Sequence, residues 1–263
     1  MSTLINLIDE PAQLPAVEIL QLYQDLELLR LDRPARHVLF VLGHTPDAPD
    51  RLLLIDPPAD LATYCRTEED VAALYTRTPQ ADAVTLDAPQ LATQPGGTAH
   101  IRLGAHFLDI YTQGSYSIVH FPALGILSSG EFGSDVALPR LATGDNGDAA
   151  LETVRILAAL VKARPVKLLI PRVGELAQDV IPIMERLAAD VAYLHNLQRI
   201  GHTLPAQSPS QSSSAPAHAE SDPESDAKLE ALAATLLPAA RRDADAQATN
   251  LQNLQTLLAA QAH

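Results

Sequence analysis

The stretch from Ser128 to Asp135 concentrates side chains that are suited to chemistry. It reads Ser-Ser-Gly-Glu-Phe-Gly-Ser-Asp, and so combines hydroxyls, backbone amides beside glycines and two carboxylates, Glu131 and Asp135. Such a loop is able to offer hydrogen bonds and negative charge to a polar ligand. The alternative is an ordinary polar loop that binds nothing. Glu175, which follows the apolar run 166–170, is open to the same two interpretations.

Other reactive motifs do not occur in the sequence. It has no Gly-x-Ser-x-Gly nucleophile elbow, no phosphate-binding Gly-Lys loop and no dinucleotide fingerprint. The run 144–148, Gly-Asp-Asn-Gly-Asp, lacks the alternating oxygen donors of a calcium loop, and it predicts a loop that caps the next helix.

Cys65 is the sole cysteine, so one chain forms neither a disulfide nor a thiolate metal cluster. We expect this thiol to be buried and unreactive.

The composition narrows the class of protein. The chain has 263 residues, enough for one large domain with an appendage, and its core must be aliphatic because only 4% of residues are aromatic. With 18 basic and 32 acidic residues the net charge is −14, which repels phosphate backbones and anionic lipid headgroups. We therefore expect neither nucleic acid nor a membrane as a partner. A single cysteine and the lack of a signal-peptide pattern predict a cytoplasmic location.

The N-terminal half is predicted to be mostly sheet. Residues 37–42 and 51–56 form a β-hairpin, because apolar strands flank a segment of turn formers that begins with Gly43-His44-Thr45-Pro46. Residues 16–31 fit either a strand pair or an amphipathic helix, since the apolar period does not separate the two. A helix capped by its first residue is predicted at 67–75. Short strands follow along the chain at residues 83–86, 100–103, 107–111, 116–121 and 125–127.

The next part of the chain alternates helix and strand. Residues 148–162 place apolar side chains at helical spacing and lead into a buried strand at 166–170, which is an α/β unit. A second helix is predicted over residues 176–200. Pro182 marks either its first turn or a break within it.

A change in composition near Leu204 divides the chain. Residues 1–203 are predicted to be the globular domain, and 204–226, rich in Ser and Pro, a disordered linker that buries too little surface to fold. Residues 227–263 are predicted to form an amphipathic helical tail. Its helices are too short to be stable alone, so they dock on a partner or a second subunit, fold back on their own domain, or stay unfolded. Its two apolar stripes are Leu229, Leu232 and Leu236, and Leu251, Leu254 and Leu258.

The order of landmarks along residues 16–200 resembles that of metallo-β-lactamase-fold proteins. In that family a strand ends in Leu-Ile-Asp, as it does here at 54–56, and later segments are a Gly-His turn, a Gly-Asp turn and Pro-Gly-His-Gly. In those places this chain has Thr-Gln-Gly-Ser at 112–115, Gly-Glu at 130–131 and Pro-Arg-Val-Gly at 171–174. The resemblance implies an α/β protein with a metallo-β-lactamase-like αββα sandwich. Any active site would lie at one edge, in the loops that follow the strands.

The residues at the family's zinc-binding positions are mostly of the wrong type here. No His-x-His-x-Asp-His motif follows Asp56. The later ligands align with Ser115, Glu131 and Val173, of which Glu131 alone is similar to its counterpart. A catalytic zinc site needs about three protein ligands, so no bound metal or cofactor is expected. Asp56, which the resemblance would place behind the metal site, is then expected to cap the turn that follows it.

Two main hypotheses about function follow. The first is a catalytically degenerate metallo-β-lactamase-fold protein without zinc, which binds an unknown small molecule or protein. Its candidate ligand-binding residues belong to the vestigial site, and no catalytic residue is assigned. The alternative is a divergent metal-dependent hydrolase, in which Glu131, Asp135 and Glu175 surround one cation. A third class is an assembly protein that self-associates through its C-terminal helices. The candidate ligand-binding residues are Asp56, Ser115, Glu131, Asp135 and Glu175.

Overall fold

Two stacked β-sheets, a small two-stranded sheet of Asn6–Leu7 with Cys65–Arg66 and a layer of helices make up the described part of the structure, a computed structural model. It describes residues 6–7, 17–31, 34–45, 48–58, 61, 65–66, 96–203, 231, 233 and 243–261. The strands are β1 (Asn6–Leu7), β2 (Val17–Tyr23), β3 (Leu26–Leu31), β4 (Arg36–Thr45), β5 (Ala48–Ile55), β6 (Cys65–Arg66), β7 (Thr98–Leu103), β8 (His106–Gln113), β9 (Tyr116–Phe121), β10 (Ile126–Gly130), β11 (Leu168–Pro171) and β12 (Ala177–Gln178). The helices are α1 (Asp148–Ala163), α2 (Val180–Thr203) and α3 (Ala244–Gln261).

A four-stranded antiparallel sheet, in the order β2-β3-β4-β5, forms the N-terminal layer. The strand-pair alternative for residues 16–31 is correct, because β2 and β3 pair from Val17 with Leu31 to Tyr23 with Leu26. The hairpin predicted at 37–42 and 51–56 is confirmed as β4 and β5. These strands form because successive side chains point to opposite faces of the sheet. Apolar residues at neighbouring positions are therefore buried on both faces.

Gly43-His44-Thr45 belongs to β4 and not to the turn, which corrects the sequence prediction. The pairing of β4 with β5 continues as far as Thr45 with Ala48. Packing between the two sheets requires glycine at position 43, because a Cβ there would collide with the side chain of Leu103 in the other sheet. Glycine marks a close approach of two strands at this point.

A six-stranded sheet, in the order β12-β11-β10-β9-β8-β7, forms the second layer. The predicted strands at 100–103, 107–111, 116–121 and 125–127 are confirmed as β7 to β10. β10 and β11 are parallel, and α1 provides the connection between them. The second helix begins at Val180 and not at 176, because Ala177–Gln178 first pairs with β11 as β12.

The apolar side chains form buried layers on both faces of the sheets. Leu28, Leu39 and Ile55 of one sheet meet Ile110 and Val119 of the other. The helices cover the outer face of the six-stranded sheet, while a further cluster buries the outer face of the four-stranded sheet. The predicted helix at 67–75, the strand at 83–86 and the linker at 204–226 lie outside the described residues.

Asp145 caps helix α1, as the sequence predicted for the loop 144–148. Its carboxylate accepts hydrogen bonds from the backbone N–H groups of Gly147 at 2.9 Å, Ala149 at 3.3 Å and Ala150 at 3.2 Å. The Tyr116 hydroxyl donates to the same carboxylate at 2.8 Å. Burial raises the pKa of Tyr116, and the Asp145 charge raises it further, so this hydroxyl keeps its proton.

Helix α3 packs on its own domain. Leu254 and Leu257 are buried in the core that α1 and α2 share. Asn253 Nδ2 donates to the carbonyl of Pro139 at 2.7 Å, and Asn253 Oδ1 accepts from Leu141 N–H at 2.8 Å. Of the alternatives for the tail, folding back therefore holds for this helix, while the stripe of Leu229, Leu232 and Leu236 lies outside the described residues. None of the helices within the described ranges is both long enough and apolar enough for a membrane span.

Candidate functional site

Strand ends at one edge of the two sheets bring together the segments that the sequence singled out. Asp56 follows β5, Ser115 precedes β9, Glu131 follows β10 and the segment 172–175 follows β11. Since β10 and β11 are parallel and β9 is antiparallel to β10, these ends lie side by side. Arg36, at the start of β4, forms a bridge with the segment 172–175 and joins the other sheet to this edge.

The segment 172–175 is fixed by its backbone to both sheets. Arg172 N–H donates to the Gly130 carbonyl at 2.7 Å, and the Arg172 carbonyl accepts from His37 N–H at 2.8 Å. Gly174 N–H donates to the carbonyl of Ala35 at 2.8 Å. Gly174 has a φ of 108°, and a Cβ there would collide with Asp135 and Ser134. This position therefore requires glycine.

Glu131 and Arg172 form an ion pair at this edge. Arg172 Nε lies 2.6 Å from Glu131 Oε1, and the two side chains are 22% and 5% exposed. Burial alone would lower the pKa of Arg172, but the carboxylates of Glu131 and then Asp56 raise it above its ordinary value. The guanidinium therefore stays charged. Arg172 was not among the residues predicted from the sequence, where its one sign is a cationic side chain directly after a buried strand.

Asp135 and Glu175 lie together in a second charged group. Asp135 Oδ1 accepts a hydrogen bond from Glu175 N–H at 2.8 Å and lies 3.9 Å from Arg186 Nη1. Glu175 Oε2 lies 2.8 Å from Arg30 Nη2. Arg186 also donates to the carbonyls of Glu175 and Gly133. Glu131, Asp135 and Glu175 are thus each close to an arginine.

Two serine hydroxyls of the segment 128–135 form hydrogen bonds with nearby backbone groups. Ser129 Oγ donates to a carbonyl of the loop at 2.6 Å, and Ser134 Oγ accepts from Ala137 N–H at 2.8 Å. Both residues are buried. Asp190, fully buried on α2, accepts from Gly133 N–H at 2.6 Å and so ties the loop to the helix. The loop therefore uses these hydroxyls to hold its shape.

Asp56 and Ser115 differ in their surroundings. Asp56 is buried and has a φ of 57°, a turn conformation that aspartate tolerates. Ser115 lies in the exposed turn between β8 and β9. The edge thus brings Asp56 and Glu131 near Arg172, and Asp135 to Glu175, while the Ser115 side chain faces solvent.

The donors at this edge do not fit a zinc ion. In the part of the chain that the structure describes, no three His, Cys, Asp or Glu side chains lie together as a metal site. Glu131 faces a guanidinium, which repels a second cation. The imidazole of His37 is at the same edge, but its Nδ1 is 2.7 Å from the Pro171 carbonyl. A zinc site needs about three donors converging on one point, and Glu131 is paired with Arg172 instead.

Because two histidines are buried, we expect the stability of the folded protein to depend on pH. Burial lowers the pKa of His37 and of His120, although Pro171 and Asp109 respectively oppose the shift. Both rings are thus neutral in the fold, whereas in the unfolded chain they bind protons near pH 6.5. Because the folded pKa lies below the unfolded value, their contribution to stability is lost as the pH falls below about 6.5.

We expect His120→Leu to reduce the drop in melting temperature between about pH 8 and about pH 5.5, as measured by circular dichroism. Replacement of His195, an exposed residue of α2, is the control and should leave the drop unchanged. An equal drop in wild type and His120→Leu would contradict this prediction.

Comparison with known proteins gives structural matches only. No family model and no curated protein matches the sequence. A stereoselective inverting sec-alkylsulfatase from Pseudomonas sp. is similar, with a TM-score of 0.56 and 12% identity over 90% of this chain. This chain spans about half of that protein, 49%. A beta-lactamase domain protein from Burkholderia ambifaria has a TM-score of 0.53 and 12% identity, covering 97% of this chain and 91% of that one.

These likenesses and the sheet order define the class of protein: the chain has the metallo-β-lactamase fold. The fold class predicted from the order of landmarks is therefore confirmed. At 12% identity the likeness extends to the fold alone.

Proposed function

We propose that this chain is a catalytically degenerate protein of the metallo-β-lactamase fold that binds a small molecule or a protein without using zinc. The ion pair between Arg172 and Glu131 carries the proposal. Glu131 is the carboxylate that the resemblance places at a ligand position, and the chain itself supplies its counter-charge. The composition, with one cysteine, supports a cytoplasmic location for this role.

Purified protein that has been incubated with Zn²⁺ and then dialysed is expected to retain far less than one zinc per chain. The reason is that one carboxylate already paired with a guanidinium is a weak ligand set. Mass spectrometry of the metal content measures this, and a zinc enzyme of the same fold, dialysed in parallel, is the control. Stoichiometric zinc or iron that survives dialysis would overturn the proposal.

A divergent hydrolase with one cation among Glu131, Asp135 and Glu175 is the alternative function. The hydrogen bond from the backbone N–H of Glu175 to Asp135, which brings two of these three residues together, favours it. The arginine beside each carboxylate favours the binding module instead. Screening esters, thioesters and phosphodiesters separates the two functions. Hydrolysis that disappears in Glu131→Ala would support the hydrolase, and no hydrolysis by wild type would support the binding module.

A further inference from the structure

Glu131 carries a charge in a place that water hardly reaches. Its side chain is 5% exposed and directly follows β10, so its carboxylate is held inside the edge where the sheets meet. A buried carboxylate without a cation beside it is strongly unfavourable and tends to be neutralised or to unfold the site. The structure must therefore provide positive charge at this point.

Arg172 provides that charge from a fixed position. Its backbone joins β10 through Gly130 and β4 through His37, with hydrogen bonds of 2.7 Å and 2.8 Å. The backbone therefore fixes the Cα of Arg172, and the contact with Glu131 at 2.6 Å places the guanidinium. Asp56, at the end of β5, adds a second negative charge close to the guanidinium. The Arg172 guanidinium thus lies near carboxylates at the ends of two different strands, with the Arg36 guanidinium also nearby.

We propose that the Arg172 guanidinium is a built-in cation that takes the structural place of a metal ion at this edge, holding the ends of β10 and β11 together by neutralising Glu131. A metal ion at a sheet edge joins strand ends by attracting their carboxylates, and a guanidinium fixed to the backbone does the same without being lost to solvent. This inference rests on the proposed absence of zinc, but it concerns stability and not ligand binding.

Removing the cation tests the inference. Arg172→Ala leaves the buried Glu131 carboxylate unpaired, and we expect the melting temperature to fall by roughly 6–12 °C. Guanidinium chloride at low millimolar concentration, well below denaturing levels, should then raise the melting temperature of this variant in a saturable way, because it binds the folded state. Wild type should show no such rise. Sodium chloride at the same ionic strength is the salt control.

The matched control is the double variant Arg172→Ala/Glu131→Gln, which has no buried charge left to neutralise at this pair. It should melt above Arg172→Ala and show no response to guanidinium. The proposal is overturned if Arg172→Ala gains nothing from guanidinium, or if the double variant gains as much. The zinc content of wild type is a separate measurement, so failure of the proposed function is distinguishable from failure of this inference.

Two further variants keep the test decisive if Arg172→Ala does not fold. Arg172→Lys keeps a positive charge and Arg172→Gln keeps much of the length without it. A built-in cation predicts that Arg172→Lys folds and melts several degrees above Arg172→Gln. Equal melting temperatures, or equal failure to fold, would show that the charge is not what the edge requires, and the inference would be wrong.

Discussion

A chain truncated after Thr203 is expected to lose cooperative folding. Truncation removes α3, and with it Leu254 and Leu257 from the core around α1 and α2. Each buried leucine contributes roughly 1.5–3 kcal/mol to the free energy of unfolding. Asn250 and Asn253 are lost as well, which leaves the buried Tyr193 hydroxyl without partners that lie at 2.8 Å and 2.9 Å. Water replaces these partners once α3 is absent, so each lost hydrogen bond costs about 0.5–1.5 kcal/mol.

Together these losses are comparable to the roughly 5–15 kcal/mol by which a whole domain is stable. Near-ultraviolet circular dichroism and thermal melting measure the outcome, and a chain ending at Gln261 is the matched control. We expect the control to melt like the full chain and the shorter chain to show no cooperative transition. If the shorter chain melted within a few degrees of the control, α3 would be an accessory helix and the packing argument would fail.

Asp145→Ala is expected to reduce the free energy of unfolding by about 2–3 kcal/mol, of which the lost helix cap accounts for about 1–2 kcal/mol and the loss of the shortest hydrogen bond of the Tyr116 hydroxyl for the rest. The carboxylate accepts from Gly147, Ala149 and Ala150 at the start of α1. It also accepts from Tyr116, whose hydroxyl in turn accepts from Ala142 N–H at 2.8 Å. Removing it therefore disturbs the helix start and the strand β9 together.

Asp148→Ala is the control for this variant, because Asp148 is an exposed acidic residue in the same first turn. Its hydrogen bonds to Asn146 and Gln198 are exposed, so its loss should cost no more than about 1 kcal/mol. Urea unfolding at neutral pH measures both. Equal destabilisation by the two substitutions would show that the charge near the helix start matters and that the buried network does not.

Local pattern was sufficient to predict most of the strands and α1. The hairpin of β4 and β5 followed from apolar runs on either side of turn residues, and α1 followed from helical spacing behind a capping loop. The errors arose where tertiary contacts override local pattern. Gly43 was predicted to lie in a turn, but it lies in β4 where that strand approaches Leu103 closely. Helix α2 begins later than predicted because a two-residue edge strand precedes it. Such pairings join residues that are distant in sequence.

The candidate site was predictable only in part. Glu131 was predicted because it aligns with a metal-ligand position of the family that the chain resembles. Arg172 is a cation and does not align with such a position. The pairing of the two depends on the parallel contact of β10 with β11, which no local pattern contains. The boundaries of the linker at 204–226 and of the tail at 227–263 remain predictions.

The packing of α3 against α2 also has a consequence for synthesis on the ribosome. The strands and α2 emerge first, but Leu254 and Leu257 complete their core only after the stretch between Thr203 and Asp243 has been translated. At about 5–20 residues per second this takes on the order of seconds. During that interval the apolar surface of α2 that α3 will cover is open to chaperones and proteases. The core that α2 and α3 share is therefore completed only when α3 has been synthesised.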